Sequence, residues 1–353
     1  MSGNYDRGDD FYAWFLGPRM IYTSGLIGDI NKEESLEQLQ DNKLTVVCEK
    51  IDLQPGDTML DIGCGWGTLA TFASVHYKAH VTGITLGRNQ TKWGNTTLRN
   101  AGIPESQSKI HRLDYRDSPR VPGGYKKITS LEMSEHVGVR HFRGFLKQVH
   151  DMLDDDGVFY LQYSGLRKYW QYEDLIWGLF MNKYVFPGAD ASTPLGWVID
   201  QLEGTGFEIK GVDTVGVHYS ATLWRWYRNW VANREHVEAK YGPKWYRVST
   251  CFIFTFLNFL FLIIFRPGSG SFPGPLSFPV KEVQHVTRLS WLRTSILPTG
   301  WMVFPVSLVF PVLLGRRLRS LERCLVHLFL DLLSGHSTTV GWFLALRIRL
   351  GYE

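Results

Sequence analysis

Glycines at alternate positions follow a short apolar segment that contains one acid. Asp61 stands two residues before Gly63 in the sequence M-L-D-I-G-C-G-W-G-T, and Gly65 and Gly67 follow at every second position. Glycines adopt backbone angles that other residues avoid, and they let a ligand approach the main chain closely. The N–H groups of a helix that begins after the turn face polar or anionic ligand atoms, and Asp61 can bind an ammonium or a hydroxyl. The pattern predicts a strand, a nucleotide-binding turn and a helix.

The spacing of these glycines distinguishes two classes of nucleotide site. A dinucleotide site has the order G-x-G-x-x-G and an acid about 20 residues later that binds the ribose. Here the order is G-x-G-x-G, and the next predicted strand, 80–86, ends without an acid. Both features argue against NAD. The order D-x-G-x-G-x-G is similar to the first motif of S-adenosylmethionine-dependent methyltransferases, and an ordinary tight connection between strand and helix is the alternative.

Polar side chains also stand where the other predicted strands end. Apolar segments at 80–86, 109–113, 127–131 and 158–163 alternate with helical patterns at 89–101 and 142–153. This alternation predicts an α/β fold with a doubly wound, mainly parallel sheet, in which ligands lie beyond the carboxyl ends of the strands. The side chains at those ends are Asp61, Thr85, Asp114, Glu132, Glu135 and Gln162. Their convergence is the best residue-level indication of a site.

Helical patterns flank this core. Apolar residues recur at helical spacing over 31–53, with Asn31 as the expected N-cap. The aromatic stretch 11–21 is broken at Gly17-Pro18 and predicts a surface helix or a lid. Another helix is expected over 193–203, and one or two strands within 207–217. Segment 223–230 interleaves aromatics with arginines, so its helix either packs the aromatics inward or contacts lipid.

The composition suits a protein that handles an apolar substrate or contacts a membrane. The 353-residue chain has a net charge of +4, 13 Trp and an aromatic content of 14%. Its 4 Cys lack metal-ligand spacing, which predicts reduced thiols, no metal site and a cytosol-facing protein. We expect no signal peptide from the polar N-terminus. Nucleic acid ranks last as a ligand because the chain is not strongly basic.

The residues after about 248 differ in character from the rest. Residues 251–265 are almost entirely apolar but short for a membrane span, and 296–314 are apolar but broken by prolines. We therefore divide the chain into an N-terminal lid and helix at 1–53, a core at 54–248 and a hydrophobic tail at 249–353. A helical, aromatic insertion at about 165–205 belongs to the core. The tail is either membrane-associated or not native-like sequence, from a misread exon boundary or a frameshift.

Several motifs occur together in the order of one family. They are Y-D-R-G-D-D-F-Y and M-I-Y-T-S within 5–24, L-D-I-G-C-G-W-G at 60–67, G-I-T-L-G-R-N-Q at 83–90, L-E-M-S-E-H-V-G at 131–138, W-Q-Y-E-D-L-I-W-G-L-F-M-N-K-Y-V-F-P-G at 170–188 and G-V-H-Y-S-A-T-L-W-R-W-Y at 216–227. Together they cover most of 3–248. This region resembles the cyclopropane-fatty-acid-synthase group of S-adenosylmethionine-dependent methyltransferases, and within it the fungal sphingolipid C-9 methyltransferases.

The resemblance implies methyl transfer to carbon 9 of an unsaturated sphingoid base in ceramide, which gives the methyl-branched backbone of glucosylceramide. The expected cofactor is S-adenosyl-L-methionine, and the expected partners are a lipid substrate and a membrane surface. We expect a catalytic domain on the cytosolic side of the endoplasmic reticulum. The sphingolipid enzymes usually begin with two membrane spans, and this chain starts just after that region. The residues implied to line the cofactor are Tyr22, Thr23, Asp61, Gly63, Gly65, Thr85, Leu86, Gln90, Asp114 and Tyr115.

The resemblance also implies a catalytic pocket. Glu135 and Tyr219 match the pocket in which cyclopropane synthases hold a bicarbonate base. Ser24 and Gln162 stand where those enzymes have Cys and His, so bound bicarbonate is in doubt, and Glu135 or a water that it holds is the predicted base. Two alternatives remain open. One is a cyclopropane-fatty-acyl-phospholipid synthase, and the other is a catalytically inactive, lipid-binding protein.

Overall fold

The computed structural model describes residues 8–166, 168, 178–179, 182–183 and 186–264, with side chains as far as 250 except at 248. Part of the predicted aromatic insertion, including 169–177, and the tail beyond residue 264 lie outside these described residues. The division into a lid, a core and a tail therefore stays a prediction.

A parallel sheet forms the centre of the described structure. Its strands are β1 (Thr58–Ile62), β2 (His80–Thr85), β3 (Ser108–Arg112), β4 (Tyr125–Leu131) and β5 (Leu153–Gln162). They lie in the order β3-β2-β1-β4-β5, and every pair is parallel. The chain winds outward from β1 to β3 and then returns to β4 on the other side of β1. The strand order thus reverses between β1 and β4, and ligands of such sheets bind at this point. The predicted doubly wound α/β fold is confirmed.

Helices surround the sheet. They are α1 (Asp9–Leu16), α2 (Leu36–Lys50), α3 (Thr68–His76), α4 (Arg88–Asn100), α5 (Val139–His150), α6 (Leu195–Glu203), α7 (Gly216–Ala232) and α8 (Arg234–Ile264). Helix α8 has a kink at Gly242, which has non-helical angles and precedes Pro243. None of the helices in the described part of the chain has the length and apolar character to cross a bilayer.

The first helix of the core begins later than the sequence pattern suggested. The prediction of Asn31 as N-cap is wrong, because the cap of α2 is Ser35. The Ser35 hydroxyl accepts from the Gln38 N–H, and the Gln38 side chain accepts from the Ser35 N–H, at 3.2 and 2.8 Å. This reciprocal capping box satisfies two N–H groups at once. Asn31 instead belongs to a turn in which it donates to Asp29.

The strands expected within 207–217 are also absent from the structure. Residues 207–215 form neither strand nor helix, and α7 begins at Gly216. The Phe207 ring packs against Phe159 of β5 and against His150, with ring centroids 5.6 and 5.4 Å apart. The apolar residue that suggested a strand therefore covers the sheet through its side chain, without pairing its backbone.

Helices α1 and α7 share an aromatic core, so α1 is not the surface helix that was one expectation. Phe11, Phe15 and Leu16 of α1 are buried, as are Trp226 and Trp230 of α7. Edge-to-face contacts join the Phe15 ring to both tryptophans, at 5.8 and 6.0 Å. Of the two alternatives for the aromatics of 223–230, inward packing holds for Trp226 and Trp230, whereas Trp224 and Tyr227 are partly buried. This core fixes the N-terminal segment against α7.

Candidate active site

The glycine turn after β1 has the geometry that the sequence predicted. Gly63, Gly65 and Gly67 have φ values of 78°, 54° and 77°, a region that side-chain-bearing residues rarely adopt. The N–H groups of Gly63 and Cys64 both donate to the Ile84 carbonyl at 3.0 Å, which ties the turn to the end of β2. Helix α3 then begins at Thr68.

Gly63 and Gly65 of this turn differ in the space that surrounds them. A Cβ added to Gly63 would lie 2.5 Å from Cγ of Met133, so the turn touches the segment after β4. A Cβ added to Gly65 would meet no atom within 4 Å. Gly63 is therefore needed for packing, whereas Gly65 leaves the main chain open to a ligand.

Asp61 lies within the sheet at the place where the strand order reverses. Its side chain is 2% exposed, and it accepts a hydrogen bond from the Thr129 hydroxyl of β4 at 2.9 Å. Burial raises the pKa of Asp61 to about 6, although the Thr129 hydrogen bond and the charge of Lys43 act in the opposite direction. A carboxylate in this environment is stabilised by a cationic or hydroxyl-bearing ligand.

The predicted cofactor residues after β2 separate into a buried pair and an exposed side chain. The Thr85 hydroxyl donates to Oε1 of Gln90 at 2.7 Å, and both residues are buried. Leu86 is 41% exposed at the end of the strand. Thr85 and Gln90 therefore stabilise the loop, while Leu86 offers an apolar surface to a ligand.

The residues predicted after β3 take part in local contacts. Asp114 accepts from the Arg116 N–H and forms an ion pair with its guanidinium at 2.7 Å, which lowers the pKa of Asp114. The Tyr115 ring packs edge-to-face against Phe145 of α5 at 5.3 Å. These contacts account for the positions of both side chains, and they leave the predicted cofactor role of Asp114 and Tyr115 a prediction.

The N-terminal segment reaches the site through Tyr22, Thr23 and Ser24. The Thr23 hydroxyl accepts from Lys43 Nζ of α2 at 2.7 Å. The Tyr22 ring lies 5.4 Å from Trp226 of α7. Next to Ser24, the Gly25 N–H donates to the hydroxyl of Thr222 in α7 at 2.9 Å. Helices α2 and α7 thus hold this segment over the carboxyl end of the sheet.

Glu132, immediately after β4, is the hydrogen-bonding centre of the predicted catalytic residues. Its Oε1 accepts from the Ser24 N–H at 3.1 Å and from Gln162 Nε2 at 2.6 Å. Its Oε2 accepts from the Tyr219 hydroxyl at 3.2 Å. The structure therefore brings together Ser24, Gln162 and Tyr219, which are far apart in sequence. We refer to Ser24, Glu132, Glu135, Gln162 and Tyr219 as the polar pocket.

Glu135 is held one turn further along the chain. It accepts from the Ser164 N–H, and its backbone carbonyl accepts from the Asp190 N–H at 2.7 Å. Burial raises the pKa of Glu135 to about 8, and the neighbouring charge of Glu132 adds to this shift. At neutral pH Glu135 is mostly protonated, which favours its role as a proton donor or a neutral hydrogen-bonding group.

Lys43 of α2 is a functional candidate that the sequence analysis missed. Its side chain is 1% exposed, and burial lowers the pKa of its ammonium to about 8, against the charges of Glu132 and Asp61. The sequence contained an indication, because Lys43 lies on the apolar face that includes Leu36, Leu39 and Val47. A lysine at such a position needs anionic partners, which here are the site carboxylates.

A cavity of about 1940 Å³ borders the polar pocket. Its walls include Tyr22, Glu132, Glu135, Tyr219 and Trp226, so acids and aromatic rings face the same space. The cavity also continues along β5 and residues 206–216, so only its inner end belongs to the candidate site. Across the described ranges, no group of three or more His, Cys, Asp or Glu side chains could hold a metal ion.

Known fungal proteins are similar to this chain in sequence. Sphingolipid C9-methyltransferase A of Emericella nidulans is 78% identical over 250 residues, covering 71% of this chain and 48% of the relative. Sphingolipid C9-methyltransferase 2 of Gibberella zeae is 77% identical over 250 residues, with the same coverage of 71% and 48%. The chain thus spans about half the length of these relatives.

A solved structure has the same fold. The mycolic acid cyclopropane synthase CmaA1, solved with SAH and CTAB, superposes with a TM-score of 0.67 and 25% identity, over 74% of this chain and 92% of that one. The family described as mycolic acid cyclopropane synthetase matches residues 1–257. Glycine turn, parallel sheet and polar pocket all lie within the matched residues, and the chain belongs to the mycolic acid cyclopropane synthetase family.

Proposed function

We propose that this chain is an S-adenosylmethionine-dependent methyltransferase that acts on carbon 9 of an unsaturated sphingoid base in ceramide. The proposal depends on one observation, the open glycine turn that lies beside the buried acid Asp61 at the carboxyl edge of the sheet. The close fungal relatives support the choice of a sphingolipid substrate. The product is a methyl-branched, still unsaturated base, the form found in glucosylceramide.

The residues at the glycine turn fit S-adenosylmethionine. Gly65 leaves the main chain accessible, and the buried acid Asp61 suits a cationic or hydroxyl group. Leu86 adds an exposed apolar side chain at the end of β2. When it is bound, the cofactor supplies a methyl group on a positively charged sulfur. The bound S-adenosylhomocysteine in CmaA1, a protein of the same fold, supports this choice.

The chain's own residues position the lipid and stabilise positive charge. An alkene is a weak nucleophile, so orientation in a dry site has to provide much of the rate. The rings of Tyr22, Tyr219 and Trp226 line the cavity, where aromatic faces attract the positive charge that develops on the lipid. Glu132 of the polar pocket is half-buried and lines the same cavity, where its carboxylate adds negative charge.

The proposal includes a membrane surface as the working location, with the catalytic part on the cytosolic side of the endoplasmic reticulum. The apolar ceramide substrate supports this location. The tryptophans and arginines of α7 and α8 also support it, because these residue types favour membrane interfaces. Trp245 is 42% exposed, and the Arg228 guanidinium lies 5.5 Å from the Trp224 ring. Cell fractionation tests it: the chain is expected in the microsomal fraction, and recovery of the active chain in the cytosol would contradict it.

Lipid analysis tests the activity. The chain is expressed in a fungus that lacks its own sphingolipid C-9 methyltransferase, and the glucosylceramides are profiled by mass spectrometry. The full-length Emericella relative is the positive control. Asp61→Asn is the matched negative control, because it preserves the shape of the side chain and removes its charge. A mass increase of one CH₂ is expected from the chain and the relative, and a strong reduction from Asp61→Asn.

Mass alone does not identify the product, because a methyl branch and a cyclopropane ring both add CH₂. Ozonolysis separates them, since ozone cleaves the alkene of the branched product and leaves a ring intact. Cleavage at the methylated carbon supports the proposal. A ring would indicate a cyclopropane synthase. No modified lipid from stably produced protein, beside an active relative, would contradict enzymatic activity of this chain.

A further inference from the structure

We propose that the Glu132 carboxylate is the catalytic base, which removes the proton from carbon 9 of the methylated lipid. The inference rests on the proposed function and assigns a residue to its last chemical step. Glu132 borders the same cavity as Tyr22 and Tyr219. Glu132 follows β4, which pairs with β1, the strand that contains Asp61. Glu132 and the glycine turn after β1 therefore lie at the same edge of the sheet.

The hydrogen bonds around Glu132 hold both carboxylate oxygens in fixed positions. Oε1 accepts from the Ser24 N–H and from Gln162 Nε2, whereas within the described part of the chain Oε2 accepts from Tyr219 alone. A carboxylate oxygen has two lone-pair positions. Oε1 is therefore saturated, and Oε2 retains a position for a proton from the substrate.

The backbone of Glu132 is strained, which is a second and independent observation. Its φ is 53°, in the left-handed region that residues other than glycine rarely adopt. Its N–H donates to the Gln162 carbonyl at 2.7 Å, which ties the strained residue to the end of β5. Strain of this kind persists where the surrounding structure fixes a side chain in a functional position.

The charge distribution favours Glu132 over Glu135 as the base. Donors and the nearby Lys43 stabilise the ionised form of Glu132 and oppose the burial that raises its pKa. Glu135 accepts from the Ser164 N–H, has a pKa of about 8 and holds its proton at neutral pH. A protonated acid cannot accept a proton, so we assign the base to Glu132, whose carboxylate has three hydrogen-bond donors and the nearby charge of Lys43 to stabilise it.

The proposed reaction consists of methyl transfer to carbon 9 followed by removal of the proton of carbon 9. The alkene π pair forms the new bond from carbon 9 to the methyl carbon, while the sulfur–methyl bond breaks and its electron pair remains on sulfur. Carbon 8 is then cationic. Oε2 of Glu132 takes the proton of carbon 9, and the electron pair of that C–H bond forms the double bond again. Removal of a methyl proton would close a ring instead, so the position of the base decides the product.

Variants of acidic residues test the inference. Glu132→Gln keeps the size of the side chain and removes the base, and Glu135→Gln tests the alternative base. Glu105→Gln is the matched control, because Glu105 is an exposed acid paired with Lys109. We expect Glu132→Gln to lose roughly 10²- to 10⁴-fold in turnover, the range of general-base catalysis. We expect a smaller loss in Glu135→Gln and, in Glu105→Gln, near-normal turnover and unchanged S-adenosylmethionine affinity by calorimetry.

Chemical rescue separates a base from a structural residue. Glycine suits the φ of 53° at this position, so Glu132→Gly should fold while it lacks the carboxylate. Added formate or bicarbonate is expected to restore part of the turnover of Glu132→Gly and none of that of Glu135→Gln. With substrate deuterated at carbon 9, the wild-type product should have lost the deuterium.

Other outcomes would overturn the inference. Near-normal turnover in Glu132→Gln, together with loss in Glu135→Gln, would assign the base to Glu135. A wild-type enzyme that stops when bicarbonate is removed would assign it to the ion. In both cases the wild-type chain still methylates the lipid, so the proposed function stands. If the wild-type chain makes no methylated lipid, the proposed function fails and the inference fails with it.

Discussion

Alanine substitutions in the glycine turn distinguish the effect of packing on the free energy of unfolding from the effect of ligand access on cofactor affinity. Gly63→Ala combines two costs. The left-handed conformation costs an alanine about 1–2 kcal/mol, and the new Cβ would lie 2.5 and 2.7 Å from Cγ and Cβ of Met133. These Met133 atoms are near its backbone and cannot rotate away cheaply, so overpacking adds about 1–3 kcal/mol. The free energy of unfolding should fall by about 2–5 kcal/mol in total.

Two matched variants provide the comparison. Gly102 has φ +74° and, like Gly65, has no atom within 4 Å of an added Cβ. Gly102→Ala should therefore cost only the conformational term of about 1–2 kcal/mol and leave cofactor affinity unchanged. Gly65→Ala should have a similar cost in stability. Its affinity for S-adenosylmethionine should fall at least roughly tenfold, because its Cβ occupies the side of the turn that is open to a ligand.

Urea unfolding and isothermal titration calorimetry measure these two quantities on the same purified proteins. The expected order of stability loss is Gly63→Ala first, with Gly65→Ala and Gly102→Ala equal to each other. Equal losses in Gly63→Ala and Gly102→Ala would refute the packing argument at Met133. Unchanged cofactor affinity in Gly65→Ala would refute the assignment of the open side of the turn to the cofactor.

Further predictions concern the hydrogen bonds and charges of the site. Thr222→Val leaves the buried Gly25 N–H without its acceptor and should cost about 1–3 kcal/mol in urea unfolding, whereas Thr222→Ser should be nearly neutral. Burial raises the pKa of Glu135 from 4.5 to about 8, so its contribution to stability is fully present below about pH 4.5 and is lost as the pH rises from 4.5 to 8. Urea unfolding should show Glu135→Gln gaining stability relative to wild type between pH 4.5 and 8, and a constant difference over that interval would contradict the shift. Binding of cationic S-adenosylmethionine should release more protons than binding of neutral S-adenosylhomocysteine, because the positive charge lowers the raised pKa values of Asp61 and Glu135. Calorimetry in buffers of different ionisation enthalpy measures the number of protons released, and equal numbers for the two ligands would contradict the prediction.

The sequence predicted the parts of the molecule that depend on local pattern. Strands β1–β4 and the glycine turn follow from apolar segments and punctuating glycines, and the structure has them close to the predicted bounds. Strand β5 begins at Leu153, where the sequence predicted the end of a helix, and not at 158. The predicted start of α2 at Asn31 is wrong because the reciprocal capping box of Ser35 and Gln38, and not the amide of Asn31, begins the helix. Residues 207–217 have alternating apolar positions, but Phe207 covers β5 through its ring. Local alternation does not distinguish these two uses of an apolar residue.

The centre of the polar pocket could not be predicted in the same way. Glu132 was recognised only as a polar residue at a strand end, and its role depends on donors from three distant segments. Ser24 reaches it from the N-terminal segment, and Tyr219 reaches it from α7. Such a meeting is a property of the tertiary fold. Lys43 was predictable in principle, since a lysine on the apolar face of a helix requires buried acids as partners.

The charges of the site explain why its parts depend on one another. Asp61, Glu132 and Glu135 are largely removed from water, and Lys43 is the buried cation whose charge acts on Asp61 and Glu132. Without a ligand, burial raises the pKa of each acid, so the site partly neutralises itself by holding protons. A positively charged sulfur and a cationic lipid carbon offer the missing positive charge. The same excess of acids that reduces the stability of the empty site therefore favours the charged state through which methyl transfer passes.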